Sequence, residues 1–312
     1  MTSAKKTVVV TGATGSQGGG VVDALLAAGK RNVRTITRKS TSKKAKDLAT
    51  RGVEVVEGDL GDTASLIKAF TGADELFLVT DIKSADQSYD GELQQGKNAV
   101  DAAKEAGIGF VIFSSLEDIP ADAKEGLPTL HDGRKVTHFE SKAAVAEYVA
   151  NSGLPYTLLL TSAFYDNMLN FVFYQKQPDG TYAFSDNLGT EPHSWHSAGT
   201  IGLTAAAVLE DPQKFHGKTV PVVGERISYP AIAQVLSDIT GKTIRYHPVS
   251  DEQMAGMPFP GAADIANMFH YYREWAHYDD LRPITNPVVQ GPTFKDWAEA
   301  HSDAFKKRLE SV

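Results

Sequence analysis

The chain has 312 residues, 42% of them hydrophobic and 22% charged, with 39 acidic against 31 basic side chains and a net charge of −8. This composition suits one large soluble core, or a main domain with a smaller lobe, and its acidity argues against direct contact with a nucleic-acid backbone. The absence of cysteine excludes disulfides, thiolate metal sites and a thiol nucleophile, and no apolar run is long enough for a membrane span.

Residues 1–6 are polar and lack the apolar stretch of a secretion signal, so the expected compartment is the cytoplasm, with the nucleus also open. The first predicted strand, 7–11, leads straight into Gly12-Ala-Thr-Gly-Ser-Gln-Gly. Gly12, Gly15 and Gly18 stand in G-x-x-G-x-x-G spacing, and Val21, Val22, Leu25 and Leu26 follow as the apolar side of a helix. A strand turning sharply into a helix aims backbone N–H groups and the positive end of the helix dipole at one point, and glycines let a pyrophosphate approach closely. A dinucleotide is therefore expected there. The next strand, 33–37, ends in Arg38, with Lys39, Ser40, Lys43 and Lys44 close behind. An NAD site usually carries an acid at this place to accept from the ribose 2′-OH. A guanidinium grips a 2′-phosphate instead, so the expected cofactor is NADP(H).

Further strands are predicted at 53–57, 76–80, 110–114 and 156–160, with helical patterns at 93–106 and 142–151. Apolar strands alternating with helices predict an α/β fold, a doubly wound Rossmann sheet that is parallel and covered on both faces. Beyond 161 aromatics become frequent, and only a helix at 201–209 and a strand at 219–223 return to the pattern. Segments 227–240 and 243–248 and two late helical stretches, 262–275 and 294–308, build a smaller C-terminal α/β lobe; 283–292 is the one loop-rich run. The expected division is a Rossmann domain at 1–160, rejoined by 196–226, with 161–195 and 227–312 as the lobe.

Several of these stretches together carry a family resemblance. Gly12-Ala-Thr-Gly-Ser-Gln-Gly, Val56-Glu-Gly-Asp59, Leu78-Val-Thr80, Gln95-Gly-Lys97, His138-Phe-Glu-Ser-Lys142, Phe164-Tyr-Asp-Asn167 and the late Phe259-Pro-Gly-Ala-Ala-Asp-Ile-Ala-Asn-Met-Phe269 resemble the NmrA-like family, atypical members of the short-chain dehydrogenase/reductase superfamily. The late segment looks most like that of the NmrA-like redox sensors. The resemblance implies NADP(H) contacts from Gly12, Thr14, Gly15, Ser16, Gln17 and Gly18, with Arg38 on the 2′-phosphate and Lys43 in the same basic group. It implies Asp59 and Leu60 beside adenine, Thr80 near the nicotinamide ribose, and Lys142, Phe164, Tyr165, Asp166 and Asn167 around the nicotinamide end. Asp81 departs from the pattern, where an asparagine is more usual.

Reductases of this superfamily typically protonate the substrate oxygen from the tyrosine of a Tyr-x-x-x-Lys pair on one helix. Here the pair is His138 and Lys142, with Ser114 and Ser115 near the place of the usual serine. Two readings compete: a site that keeps only its grip on the dinucleotide, or one in which His138 or Tyr165 donates the proton. A Lys142 ammonium four residues along would weaken an imidazolium acid, and the resemblance carries the same histidine in regulators. The expected function is an NADP(H)-binding regulator or redox sensor without efficient dehydrogenase activity. It would act through a protein partner, and with no thiols it would read redox state through the cofactor. The alternatives are an NADPH-dependent reductase of a small carbonyl, quinone or enone, with Lys142, His138, Ser115 and Tyr165 as catalytic candidates, or a bare scaffold. A homodimer is compatible with each. No metal is expected: His193 and His196 lie three apart, but Pro192 predicts a loop and no carboxylate motif accompanies them. Segments 118–133 and 166–187 are the expected moving parts, since the first carries Pro120, Gly126 and Pro128 without a clear period.

Overall fold

The structure, a computed structural model, describes residues 4–276 and 286–312. The chain runs β1 (Thr7–Val10), α1 (Ser16–Ala28), β2 (Asn32–Thr37), α2 (Lys43–Thr50), β3 (Glu54–Glu57), α3 (Thr63–Phe70), β4 (Glu75–Leu78), α4 (Tyr89–Ala106), β5 (Phe110–Ser115), α5 (Ala121–Gly126), α6 (Thr137–Asn151) and β6 (Tyr156–Thr161). It continues through β7 (Ala163–Phe164), α7 (Asn167–Asn170), β8 (Gln175–Lys176), β9 (Tyr182–Phe184), β10 (His193–His196), α8 (Ala198–Glu210), α9 (Pro212–Phe215) and β11 (Lys218–Val222). Then come β12 (Glu225–Ile227), α10 (Tyr229–Thr240), β13 (Ile244–Tyr246), α11 (Asp251–Ala255), α12 (Ala262–Glu274), α13 (Phe294–Ala300) and α14 (Ser302–Glu310).

Among the described residues, β11-β6-β5-β4-β1-β2-β3 form a seven-stranded sheet in which every pairing is parallel. The chain leaves the β3 edge and crosses to β4 beside β1, which makes the switch point of a Rossmann sheet at the carboxyl ends of those two strands. Strand alternation divides the core. Val8, Val10, Phe77 and Ile112 pack against α1 and α8, while Val9, Leu76, Leu78, Val111 and Phe113 pack against α3, α4 and α6. Burial on both faces explains the near-continuous apolar strands. Helices α1 and α8 approach backbone to backbone: a Cβ on Gly202 would lie 2.0 Å from Gly20 O.

Two three-stranded sheets, β12-β10-β7 and β13-β9-β8, lie outside the main sheet. They share a separate aromatic core containing Tyr165, Phe184, Trp195, Tyr229, Tyr271 and Phe294. Several boundaries differ from expectation for local reasons. Helix α4 starts at Tyr89 because the Ser88 side chain accepts from Gly91 N, and α6 starts at Thr137, which puts His138 and Lys142 on one helix. The stretch at 294–308 breaks at His301 into α13 and α14. Segment 118–133 is no bare loop: it holds α5, and Ile119, Ala123 and Leu127 are buried in the aromatic core. His193 and His196 sit on a strand, three residues apart and hence on opposite faces. Burial holds both well below the ordinary histidine range, at about 4. The loop-rich run at 283–292 lies partly outside the described residues. Among those described, no helix is long and apolar enough to cross a membrane.

Candidate functional site

A cleft of about 1290 Å³ runs over the carboxyl ends of the parallel strands, walled on its far side by the lobe. At the switch point the buried Thr11 ties β1 to β4, its Oγ1 accepting from Val79 N at 2.7 Å and donating to Val79 O at 3.0 Å. Gly12 follows at φ +64°, and a Cβ there would lie 2.7 Å from Val79 Cγ1, so both backbone and space require glycine. Gly15 is the N-cap of α1, in extended geometry, with its N–H bonded to Gly12 O at 2.9 Å, and no side chain caps the helix. A Cβ on Gly15 would meet nothing closer than Gly12 O at 3.4 Å. Packing therefore does not demand this glycine; its open side is the cleft. Gly18 is the opposite case. A Cβ there would lie 2.5 Å from backbone atoms of Thr11 and Gly12, and Gly18 does not line the cleft.

Beyond β2 the cleft is lined by Arg38 and Lys39, both exposed, and Arg38 pairs with no acid among the described residues. Lys43 does not line the cleft and pairs with Asp47 at 2.7 Å, while Lys44 donates to Thr14 O at 2.9 Å. Asp59 and Leu60 complete this end, the carboxylate of Asp59 accepting from Gly61 N at 2.8 Å.

At the other side of the switch point, a polar cluster is built around Glu92 of α4, a carboxylate with no exposure at all. Its Oε1 accepts from Lys142 Nζ at 2.6 Å and from Thr80 Oγ1 at 2.8 Å, and its Oε2 accepts from Ser141 Oγ. Lys142 Nζ also reaches Thr80 O at 3.2 Å. Burial opposes ionisation of Glu92, yet the Lys142 charge and these hydrogen bonds together hold its carboxyl below the ordinary range. Asp81 has a local use: it accepts from Lys83 N at 3.1 Å and caps the 3-10 turn Ile82–Ala85.

His138 lies one turn before Lys142 on α6. Its Nδ1 meets Asp264 Oδ2, and the second oxygen of the same carboxylate accepts from Thr137 N at 2.6 Å. Asp264 belongs to α12, so this contact joins the Rossmann sheet's helix to the lobe. Lys142 is ion-paired with Glu92, and His138 meets Asp264.

Of the residues singled out from sequence, Gly12, Thr14, Gly15, Ser16, Gln17, Arg38, Asp59, Leu60, Thr80, Ser115, His138, Lys142, Phe164 and Asn167 line the cleft. Gly18, Lys43, Tyr165 and Asp166 do not. Tyr165 has no exposure and packs on Phe294 and Trp297 inside the lobe. Burial, reinforced by Glu225, pushes its hydroxyl well above the ordinary tyrosine range, and its place in the lobe core, away from the lining, keeps it from reaching the cleft. Asp166 accepts from Ala198 N at 2.8 Å, a structural use at the start of α8. Asp264 and Glu92 were missed. Glu92 had a local signal, a lone acid on the face that carries Gln95, Gly96, Ala99 and Ala103.

The model of the NmrA-like family matches residues 4–299. The chain belongs to the NmrA-like family. Among curated relatives, an NAD(P)H azoreductase of Xenophilus azovorans is 28% identical over 308 residues, covering 96% of this chain and 99% of that protein. The NmrA-like family domain-containing oxidoreductase malD of Malbranchea aurantiaca is 30% identical over 291 residues, with 86% and 84% covered. Among solved structures, a mutant NmrA superposes with a TM-score of 0.79 at 22% identity, covering 99% of this chain and 98% of that one. The triphenylmethane reductase of Citrobacter sp., complexed with NADP(H), gives 0.70 at 25% identity, with 95% and 99% covered.

Proposed function

We propose that this NmrA-like protein is an NADP(H)-dependent reductase of a small apolar carbonyl, quinone or enone. In this reading, 1–160 and 196–226 form the dinucleotide-binding domain, and 161–195 and 227–312 form a lobe bounding the substrate space. The cleft carries the proposal. At about 1290 Å³ it exceeds the roughly 300–1,000 Å³ of ordinary ligand pockets, and its two ends differ in chemistry. The glycine turn, the uncapped start of α1, Arg38 and Lys39 fit a pyrophosphate and a 2′-phosphate. The other end is walled by Phe164, Phe171, Met257, Phe259, Met268 and Phe269, a surface suited to an apolar second molecule. Bound NADPH supplies a hydride. The chain's own residues grip the phosphates, hold Thr80 and Lys142 in place through Glu92, and bound the chamber.

The regulator reading comes second. It drew on the loss of the superfamily tyrosine and on the same histidine standing in regulators; the first weighs less once His138 is held by a carboxylate, and the reading gives the apolar end of the cleft no role. The experiment is to incubate the protein with NADPH and menadione, cyclohexenone or benzaldehyde and follow NADPH absorbance. Oxidation that depends on protein and acceptor supports the reductase. Tight NADPH binding without oxidation by any acceptor overturns it and favours a cofactor-reading regulator, for which hydrogen exchange at 166–187 should change with cofactor.

The cofactor assignment has its own test. With Arg38 at the end of β2 paired with no acid among the described residues, NADP(H) should bind at least about tenfold tighter than NAD(H), about 1.4 kcal/mol. Arg38→Ala should remove most of that preference and leave NAD(H) affinity nearly unchanged. Calorimetry giving equal wild-type affinities would refute the 2′-phosphate assignment.

A further inference from the structure

We propose that His138 and Asp264 form the proton-donating dyad of this cleft, with His138 the catalytic acid and Asp264 the positioning residue; the proposal rests on the reductase reading above. The two side chains are 126 residues apart in sequence and meet between the first turns of α6 and α12. One carboxylate does two jobs. Helix α6 receives no cap from its own N-cap residue, Val136, and Asp264 Oδ1 takes that role by accepting from Thr137 N at 2.6 Å. Asp264 Oδ2 holds His138 Nδ1, which fixes the ring and selects the Nδ1–H form of the neutral imidazole. Both side chains line the cleft while remaining mostly shielded, at 16% and 18% exposure. Nε2 is left with no partner among the described residues.

The charged groups near the ring have partners of their own. Lys142, on the same face one turn on, is ion-paired with Glu92 of α4. Asp132, in the segment before α6, accepts from Thr137 Oγ1 at 2.8 Å. As the carbonyl carbon of the substrate gains a hydride, the C=O π pair moves onto oxygen. The O–H bond forms as the Nε2–H bond of the imidazolium breaks, leaving a neutral ring whose Nδ1–H is donated to Asp264. Solvent then reprotonates Nε2 through the open cleft, and the products are the alcohol and NADP⁺.

Asp264→Asn separates this role from helix capping. The amide oxygen can keep the bond from Thr137 N, while the amide NH2 faces His138 Nδ1 and drives the neutral ring's proton to Nε2. Nitrogen NMR of labelled imidazole should report Nδ1–H in the neutral wild-type ring and Nε2–H in Asp264→Asn. Benzaldehyde and menadione then serve as paired probes. The alkoxide formed from benzaldehyde is a strong base that needs a donor, and the hydroquinone anion from menadione is a weak one that needs it less. Asp264→Asn and His138→Gln should each lower kcat on benzaldehyde by ~10²-fold or more, with KM and NADPH affinity held, and by at least about tenfold less on menadione. Equal losses on both probes, wild-type kcat in either variant, or an unprotonated Nδ1 in the neutral wild-type ring would overturn the dyad. Wild-type reduction of menadione but not benzaldehyde would overturn it and leave the reductase reading standing. No oxidation with either probe would overturn the dyad, and failure with cyclohexenone as well would overturn the reductase reading with it.

Discussion

Gly15→Val should raise the dissociation constant for NADP(H) by about 100-fold or more, about 2.7 kcal/mol, while the melting temperature stays near that of the wild type. The reasoning is local. Gly15 already sits in extended geometry that a β-branched residue accepts, and its Cβ position meets nothing closer than 3.4 Å. The added methyl groups therefore occupy cleft space, where a phosphate must approach the first turn of α1. Gly18→Ala provides the contrast. Its single methyl would press on backbone atoms of Thr11 and Gly12 at 2.5 Å, so the turn must shift and the melting temperature should fall. Calorimetric titration and thermal unfolding of both variants check the pair. Wild-type NADP(H) affinity in Gly15→Val would mean that the pyrophosphate binds elsewhere.

These two glycines show where sequence reading succeeds and where it stops. The spacing identified a tight strand-to-helix turn because that geometry is local. It could not divide the glycines between ligand approach and chain packing, since that depends on which atoms face each Cβ position. The parallel sheet was legible for a similar reason. Strands buried on both faces, such as β5, leave an apolar run, and the intervening helices keep their own period.

The site's polar architecture was less legible because its partners are distant. Thr80 follows β4, Glu92 lies on α4 and Lys142 on α6, and Asp264 reaches His138 from the lobe. Nothing near Asp264 in sequence distinguishes it from an acid placed to favour a helix start. Tyr165 erred in the other direction. The family resemblance put it at the nicotinamide end, but strand alternation on leaving β7 turns it into the lobe core instead.

The buried pair at the centre of the site yields the largest expected effect on stability. Lys142→Met should destabilise the fold by about 3–5 kcal/mol, because it leaves the unexposed Glu92 carboxylate without its cation. The remaining hydroxyl donors, Thr80 and Ser141, do not replace a charge. The pH dependence should change sign with the substitution. In the wild type the Glu92 carboxyl is held below its ordinary value of 4.5, so its contribution is fully present above that value and is lost as pH falls through the lowered one. Without Lys142, burial is opposed only by the hydroxyl donors of Thr80 and Ser141 and favours the protonated acid. The deficit against wild type should then be greatest near neutral pH and shrink as the medium becomes acidic. Pairing Lys142→Met with Glu92→Leu removes both charges and should recover much of the loss at neutral pH. Denaturant unfolding of the wild type and the single and double variants at two pH values measures all of this. A single variant as stable as the wild type at pH 7 would show that the carboxylate is not sealed from water as the structure places it.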